Sequence, residues 1–390
     1  MGHGYHVIDA DGHVFETFEL WQRLRNDYMP ATEGAAFGAV LNRAQDGWKR
    51  GPEVPTPFIW EAEGNTPVLN RSRPLGPDSG VARLTYAGEG RKPGTEAARD
   101  IFDGPGRLRD MDREGIDVMV IYPSTIASFC ALESRAVESS IYHAYNRWIS
   151  DHCQADAARL KYVGVVSLTD VEAGVAELRR AAEDPLMVGM YCQTHMGETQ
   201  LDHPRFHPLW DAAQDLDLPV VVHHASAALP PYGLGMFEMN DCWFLQHASS
   251  NPFEQMRAIA TMIGGGVFER FPKLQVAFLE AGCGWLPYWL DRLNEHHELM
   301  PFAVPQMTRS ASEVFASGRC YISFEPDERM LPSVLRHVGD DKVVYASDYP
   351  HFDCDFPDSA RKVVERSDIA GESKRKILSE NAKRLYPRLA

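Results

Sequence analysis

The chain has 390 residues, 44% of them hydrophobic and 24% charged, which is the composition of a globular protein with a large core. Its formal net charge of −16 at pH 7, with no basic block to offset it, argues against nucleic acid or a membrane surface as a partner. The apolar runs are far shorter than the ~20 residues that cross a bilayer, and no signal-peptide pattern opens the chain. These features predict a cytoplasmic enzyme.

Eight short apolar runs predict buried parallel strands, because most are rich in Val, Ile and aromatic residues without polar alternation. They are Tyr5–Asp9, Asp117–Tyr122, Tyr162–Leu168, Met187–Gln193, Pro219–His223, Leu274–Glu280, Cys320–Phe324 and Lys342–Asp348. Stretches of helical period alternate with them, at Ser134–Ala157, Val171–Glu183, Arg205–Leu216, Asn251–Phe271, Glu328–Val338 and Lys374–Tyr386. This alternation predicts an α/β fold, a single (β/α)8 TIM barrel over residues 1–390. A doubly wound sheet would need a Gly-rich turn after the first strand, and none follows it.

Residues 25–104 do not fit the alternation, since they separate the first two predicted strands by far more chain than a barrel connection needs. The segment is rich in Gly, Pro and charged residues. We expect an insertion, either a lid over the barrel mouth or an oligomerisation element.

Polar residues that can bind metal follow the predicted strands, at the end where (β/α)8 barrels carry their chemistry. The candidate metal ligands are Asp11, His13, His223, Glu280 and Asp348. Each has an ordinary alternative: Asp348 could simply cap a turn, whereas a buried Glu280 requires a cation or hydrogen-bond partners. Because neighbours on a strand point to opposite faces, His223 is favoured as a ligand over His224.

Further strand-end and loop residues are weaker candidates. His351, His247, His224 and Asp9 could add ligands or support the ligands. Six residues near strand ends or mouth loops are candidates for a substrate pocket: Tyr122, Gln193, His195, Trp243, Trp285 and Glu325.

With these positions in view, the chain resembles the amidohydrolase superfamily, in the branch of aminocarboxymuconate-semialdehyde decarboxylase and related aromatic-acid decarboxylases. The resemblance runs from Val7 to about Tyr386 and leaves the insertion largely unmatched. Four segments carry it: Ile8-Asp9-Ala10-Asp11-Gly12-His13, Val220-Val221-Val222-His223, Phe271-Pro272-Lys273-Leu274 and Ser347-Asp348-Tyr349-Pro350.

The resemblance implies four ligand positions, and this chain departs from the branch at two places. The branch has H-x-H on strand one, where Asp11 and His13 fall, a histidine matched by His223 and an aspartate matched by Asp348. Asp11 therefore replaces a histidine. Glu280 stands where the decarboxylases carry a strand-six histidine implicated in catalysis, so that histidine's role cannot be carried over.

The exchange of imidazole for carboxylate makes the predicted site harder and more anionic. Such a site favours Fe²⁺ or Mn²⁺, although Zn²⁺ also fits, and carboxylates can bridge two ions, so one or two divalent metal ions are expected. The expected substrate is a small carboxylated compound. The protein is expected to be a homo-oligomer or to pair with a related subunit.

Three functions remain open at this point. The first is a metal-dependent hydrolase or lyase, acting through metal-activated water or non-oxidative C–C cleavage such as decarboxylation, with Asp348, Glu280 and His223 as catalytic residues. The second is a dinuclear Fe or Mn/Fe monooxygenase that hydroxylates a small organic acid. The third is a non-catalytic scaffold subunit. Such a subunit would have lost one or more metal ligands, and this sequence retains every candidate ligand.

Overall fold

The computed structural model describes residues 4–14, 16, 18–48, 103–124, 126, 130, 132, 134–223, 243–351 and 353–389. Within these ranges, the side chains of residues 18, 40, 42–48 and 243–246 are not described. The predicted candidate His224 and most of the predicted insertion therefore lie outside the described residues.

Eight parallel strands form one sheet in the order β1 to β8, which confirms the predicted TIM barrel. The strands are β1 Ile8–Val14, β2 Val118–Pro123, β3 Leu160–Val165, β4 Met187–Gln193, β5 Val220–His223, β6 Val276–Leu279, β7 Cys320–Phe324 and β8 Val343–Tyr345. The chain just after β8 lies against β1, where the amide of Asp348 donates to Asp11 O (3.1 Å) and the amide of His13 to Tyr349 O (2.6 Å). These bonds close the barrel through the backbone of three candidate ligands, Asp11, His13 and Asp348.

Helices surround the barrel, and six of the regions they occupy overlap the predicted helical stretches. They are α1 Phe18–Arg23, α2 Ala31–Trp48, α3 Gly104–Glu114, α4 Arg135–Cys153, α5 Val171–Ala181, α6 His207–Asp215, α7 Trp243–Gly264, α8 Val267–Arg270, α9 Leu286–Leu299, α10 Ala311–Val314, α11 Leu331–His337, α12 Ser359–Glu365, α13 Gly371–Arg375 and α14 Asn381–Leu385. Of these, α2, α3 and α9 were not predicted. The predicted helix Asn251–Phe271 is two helices, because Gly266 adopts the left-handed region (φ 72°) between them. Among the described residues, no helix is long and apolar enough to cross a membrane.

The first strand is longer and more polar than the sequence predicts. It runs from Ile8 to Val14 and does not end at Asp9, and all seven residues are buried. Its register against β2 shifts between Asp9 and Gly12, so one additional residue of β1 lies in this interval. Gly12 lets the Met119 side chain pack closely there, since a Cβ atom would lie 2.6 Å from the Met119 sulfur and would displace it. The shift interrupts simple alternation through the Asp9–His13 stretch.

The described start of the predicted insertion packs against the barrel's helices. Tyr28 donates a hydrogen bond to Asp151 Oδ2 on α4 (2.7 Å), and the guanidinium of Arg147 lies 5.6 Å from the centre of the Tyr28 ring. Phe37 and Leu41 of α2 are buried in the same core. The lid or oligomerisation role of residues 25–104 stays a prediction, because residues 49–102 lie outside the described part.

Candidate metal centre

Three predicted ligands converge inside the barrel, from strands that are distant in sequence. His13 Nε2 lies 3.4 Å from Asp11 Oδ1, His223 Nε2 lies 3.6 Å from the same oxygen, and the two imidazole nitrogens are 3.3 Å apart. Asp11 and His13 come from β1 and His223 from the end of β5. All three side chains are at most 3% exposed. The three ligand atoms form one small, buried, inward-facing triangle.

The donor set fits a divalent cation. Both carboxylate oxygens of Asp11 are buried and accept no hydrogen bond from the protein, which is unfavourable for a carboxylate without a cation. Ligand atoms that share one first-row ion ~2.1 Å away are about 3.0–3.5 Å apart, close to the separations of this triangle. Among the described residues, Asp11, His13 and His223 form one group that could hold an ion, and His13, Asp348 and His351 form a second.

Two further predicted ligands, Glu280 and Asp348, lie at the rim of the triangle. Glu280 Oε2 is 2.9 Å from His223 Nε2, and Asp348 Oδ1 is 3.5 Å from His13 Nε2. Both residues have left-handed backbones, with φ of 58° and 54°, a conformation that is unusual for residues other than glycine. Such strain persists only where the surrounding structure imposes it, and it often marks functional sites. Here each of the two carboxylates lies within 3.5 Å of an imidazole of the triangle.

The charges at the site shift the pKa values of the two rim carboxyls in opposite directions. Burial alone would raise the pKa of Glu280, but the adjacent His223 imidazolium outweighs it and holds that pKa well below its usual range. Burial opposes the charge of His223 too, yet Glu280 and Asp11 raise its pKa well above the usual value. Burial, together with the negative charge of Glu280, raises the pKa of Asp348 well above its usual range. Without a bound ion, the pKa values of the two rim carboxyls are therefore shifted in opposite directions, a separation typical of acid–base sites.

His351 adjoins the triangle, and His247 lies farther out. His351 Nδ1 is 2.6 Å from Asp348 Oδ1, and its ring stacks on that of His13 with centres 4.2 Å apart. His247 Nε2 is 3.8 Å from Asp353 Oδ2, and burial, with the nearby Asp348, raises the pKa of Asp353 to about 7. His247 belongs to neither group of candidate ligands among the described residues.

Asp9 supports the ligands through hydrogen bonds to Ser347 and to the backbone of Asp11. Its carboxylate accepts hydrogen bonds from the Ser347 amide (2.9 Å), the Ser347 hydroxyl (2.5 Å) and the Asp11 amide (3.2 Å). It therefore ties β1 to the chain that follows β8. Burial raises the pKa of Asp9 to about 6.

Two groups that no sequence pattern indicates hold His13 in place. The carbonyl of Pro123, at the end of β2, lies 3.1 Å from His13 Nδ1 and leaves Nε2 for the triangle. The buried guanidinium of Arg107 on α3 donates to His13 O (2.6 Å). A backbone carbonyl carries no residue-specific signal, and an arginine on a helix normally indicates a solvated face, so only the three-dimensional contacts reveal them.

Three of the predicted pocket residues are buried. The Tyr122 ring stacks on that of His223, with centres 5.6 Å apart, and its hydroxyl bonds to Tyr386. Gln193 lines a small cavity together with Tyr191 and Cys130. His195 has Nε2 3.2 Å from Glu254 Oε2.

The other predicted pocket residues are placed differently. The Trp285 indole donates to Ala281 O (2.9 Å), in the loop after β6, and Glu325 is exposed after β7. Trp243 begins α7, but its side chain lies outside the described part. The substrate role of all six residues stays a prediction.

Comparison with known proteins identifies the class. The barrel and its convergent ligand atoms define a metal-dependent (β/α)8-barrel enzyme. The chain belongs to the amidohydrolase family, whose family model matches residues 8–388. The resemblance read from the sequence is thereby confirmed.

The individual relatives are distant. 2-Amino-3-carboxymuconate-6-semialdehyde decarboxylase of Dictyostelium discoideum is 24% identical over 256 residues, 65% of this chain and 68% of that protein. Gamma-resorcylate decarboxylase of Rhodococcus jostii is 23% identical over 291 residues, 72% of this chain and 86% of that protein. Among solved structures, 5-carboxyvanillate decarboxylase of Novosphingobium aromaticivorans, with manganese and 4-hydroxy-3-methoxy-5-nitrobenzoic acid, has a TM-score of 0.71 at 20% identity. That match covers 99% of this chain and 97% of the other. These relatives agree with the non-oxidative interpretation and not with the oxygenase alternative.

Proposed function

We propose that the protein catalyses the metal-dependent, non-oxidative decarboxylation of a small carboxylated compound. The observation that carries the proposal is the buried triangle of Asp11, His13 and His223, whose ligand atoms lie 3.3–3.6 Å apart. The family relatives named above, which are decarboxylases, support the choice of reaction. Carboxylated aromatic compounds are the substrate class to test first, because two of the three relatives are named for aromatic acids.

The ion that suits this triangle best is Mn²⁺. Asp11 makes the donor set harder than one of imidazoles alone, and harder ligands favour Mn²⁺ over Zn²⁺. The manganese in the 5-carboxyvanillate decarboxylase structure supports the same choice. When bound, the ion would bind an oxygen of the substrate and stabilise the negative charge that develops as the C–C bond breaks.

Asp348 is our proposed proton donor. In a decarboxylation the bond to the carboxyl group breaks, CO2 leaves, and the electron pair left on carbon takes up a proton. Asp348 is 22% exposed at the mouth, its left-handed backbone directs it inward, and His351 holds one of its oxygens. It can therefore reach a substrate that lies over the triangle and give the proton to that carbon.

Glu280 has a different proposed role from that of the histidine found at this position in related decarboxylases. Its carboxylate lies 2.9 Å from His223 Nε2, and its amide donates to Ser323 Oγ (3.1 Å). Glu280 thus orients His223, or joins the metal shell beside it, while Asp348 moves the proton. This division explains how the site can work without a strand-six histidine.

The proposal is tested by removing metal with a chelator, restoring Mn²⁺, and supplying hydroxybenzoates labelled with ¹³C in the carboxyl group. The expected result is release of ¹³CO2 under anaerobic conditions, abolished by the chelator and restored by Mn²⁺. Esters, amides and lactones of the same acids are tested in parallel in ¹⁸O-labelled water. Hydrolysis of these with no ¹³CO2 would identify a hydrolase instead, and turnover that consumes O2 would support the oxygenase.

Location and assembly are part of the proposal, and both rest on the sequence. The acidic net charge and ordinary globular composition support a cytoplasmic enzyme. The length of the segment 25–104 supports a homo-oligomer or pairing with a related subunit, since long insertions often serve assembly.

A further inference from the structure

A serine at the end of β2 is connected to the proposed proton donor through a histidine. Ser124 Oγ lies 3.0 Å from His351 Nε2, and the other ring nitrogen, Nδ1, lies 2.6 Å from Asp348 Oδ1. The three side chains form a continuous hydrogen-bonded chain from the strand end to the carboxyl group. Ser124 lies outside both groups of candidate metal ligands.

The backbone around Ser124 is anchored on both sides. Its amide donates to Glu16 Oε1 (3.2 Å), and the side chain of Glu16 is buried. The preceding residue, Pro123, contacts His13 Nδ1 with its carbonyl (3.1 Å). The end of β2 therefore contacts two imidazoles, those of His13 and His351, whose rings stack on each other.

Partners on both ring nitrogens hold a histidine in one orientation more firmly than a partner on one. The stacking on His13 restrains the plane of the His351 ring, and a bond to Nε2 adds a restraint on rotation within that plane, which would otherwise move the Asp348 carboxyl group with it. A hydroxyl is well suited to the second position, because it can donate to or accept from Nε2 and so satisfies either tautomer. Ser124 supplies that hydroxyl.

We propose that Ser124 is a positioning residue that acts through His351 to fix the direction of the Asp348 carboxyl group. The inference rests on the proposed function in one respect, the assignment of proton transfer to Asp348. It adds the Ser124–His351 hydrogen bond as the contact that keeps this carboxyl group aimed at the reacting carbon.

The kinetic test compares Ser124→Ala and Ser124→Thr with the wild type, all loaded with Mn²⁺. Loss of a group that orients a catalytic side chain typically costs 10–100-fold, so Ser124→Ala should lower kcat about 10-fold while KM and metal content stay within about twofold. Ser124→Thr retains a hydroxyl and should restore most of kcat. Ser333→Ala is the matched control, because Ser333 makes the same kind of contact with His337 (3.3 Å) on an exposed face of α11. It should leave kcat unchanged.

A double-mutant cycle shows whether Ser124 acts through His351. In a His351→Asn background, Ser124→Ala should cause little further loss, because the connection to Asp348 is already broken. A full additional 10-fold loss in that background would overturn the proposal. So would a Ser124→Ala enzyme with the wild-type kcat.

A spectroscopic readout separates this inference from the proposed reaction. In the zinc-loaded, diamagnetic protein with ¹⁵N-labelled histidine, the His351 ring nitrogens are assigned by their loss in His351→Asn. Ser124→Ala should shift the Nε2 resonance, whereas Ser333→Ala should not. Unshifted His351 nitrogens would overturn the role of Ser124. If no substrate releases CO2, the decarboxylase proposal fails while this measurement still decides the role of Ser124.

Discussion

Asp11 shows how a single residue sets the chemistry of the site. The resemblance read from the sequence implies a histidine at this position, and both oxygens of Asp11 are buried without a hydrogen bond. The pull of His223 outweighs burial and keeps the pKa of Asp11 low. The sequence predicted its importance from its place near a strand end. It could not give the distance to His223, because Asp11 on β1 and His223 on β5 meet only across the closed barrel.

Replacing Asp348 with Asn should separate proton transfer from metal binding. The amide keeps the shape and tolerates the left-handed backbone but cannot give up a proton, so kcat should fall by about 100-fold or more. Bound Mn²⁺ should remain at about half the wild-type content or higher, because Asp11, His13 and His223 are intact. Steady-state kinetics and elemental analysis of the same samples check both values.

Asp217→Asn is the matched control for this variant. Asp217 also has a left-handed backbone (φ 52°), in the turn before β5 and away from the site. Its substitution should leave kcat and metal content unchanged. An Asp348→Asn enzyme that keeps both metal and activity would contradict the assignment of Asp348.

At the scale of the element, β1 is the strand that the sequence predicted least well. The apolar run ends at Ile8, so the pattern predicted a strand ending at Asp9, whereas the strand continues to Val14. Polar residues can remain buried there because each has a specific partner, such as Ser347 for Asp9 and Pro123 O for His13. Partners from distant segments leave no local pattern. By contrast, β4 and β7 are mostly apolar and were predicted with the observed bounds.

Helix α3 stabilises the closure of the barrel, where β1 meets the chain that follows β8. On one face it carries three buried polar residues: Arg107 donates to His13 O, Asp110 accepts from the Tyr349 hydroxyl (2.6 Å), and Glu114 accepts from Ser359. This helix was not predicted, because its polar face resembles a solvated one. The first two contacts support the segments that carry His13 and Asp348, and the third joins α3 to the start of α12.

Glu114 should make stability depend on pH. Burial raises its pKa from 4.5 to about 8, so the folded protein holds this proton more tightly than the unfolded chain does. Its contribution to stability is therefore complete below about pH 4.5 and is lost as pH rises towards 8. In Glu114→Gln this loss is absent. Between pH 5.5 and 8.5, the Tm of the wild type should thus fall by ~2 °C or more beyond the fall seen in Glu114→Gln.

The control for this prediction is Glu172→Gln, which removes an exposed carboxyl on α5. Its Tm should change with pH as that of the wild type does. Equal slopes for the wild type and Glu114→Gln in calorimetry would show that Glu114 is ionised in the folded protein over this whole range.

At the scale of the whole molecule, the alternation of eight apolar runs with helical stretches was sufficient to predict the barrel. The barrel then explains why Asp11, His13 and His223 meet, since strand ends share one face of the fold. A residue at that face of the barrel is not necessarily part of the metal site. Glu325 follows β7 and His247 lies in α7, yet neither joins a group of candidate ligands among the described residues. The direction of each side chain depends on packing that no sequence pattern encodes.

We expect Asp11, together with His13 and His223, to hold the divalent ion on which activity depends. The most direct test is the metal content of wild type and Asp11→Ala after loading with Mn²⁺ and removal of free ion, with Asp112→Asn as a control at an exposed carboxylate. We predict about one ion per chain in the wild type and the control, and less than ~0.1 in Asp11→Ala, with activity lost in parallel. An Asp11→Ala protein that binds as much Mn²⁺ as the wild type and remains equally active would show that Asp11 is not a ligand of the ion on which activity depends.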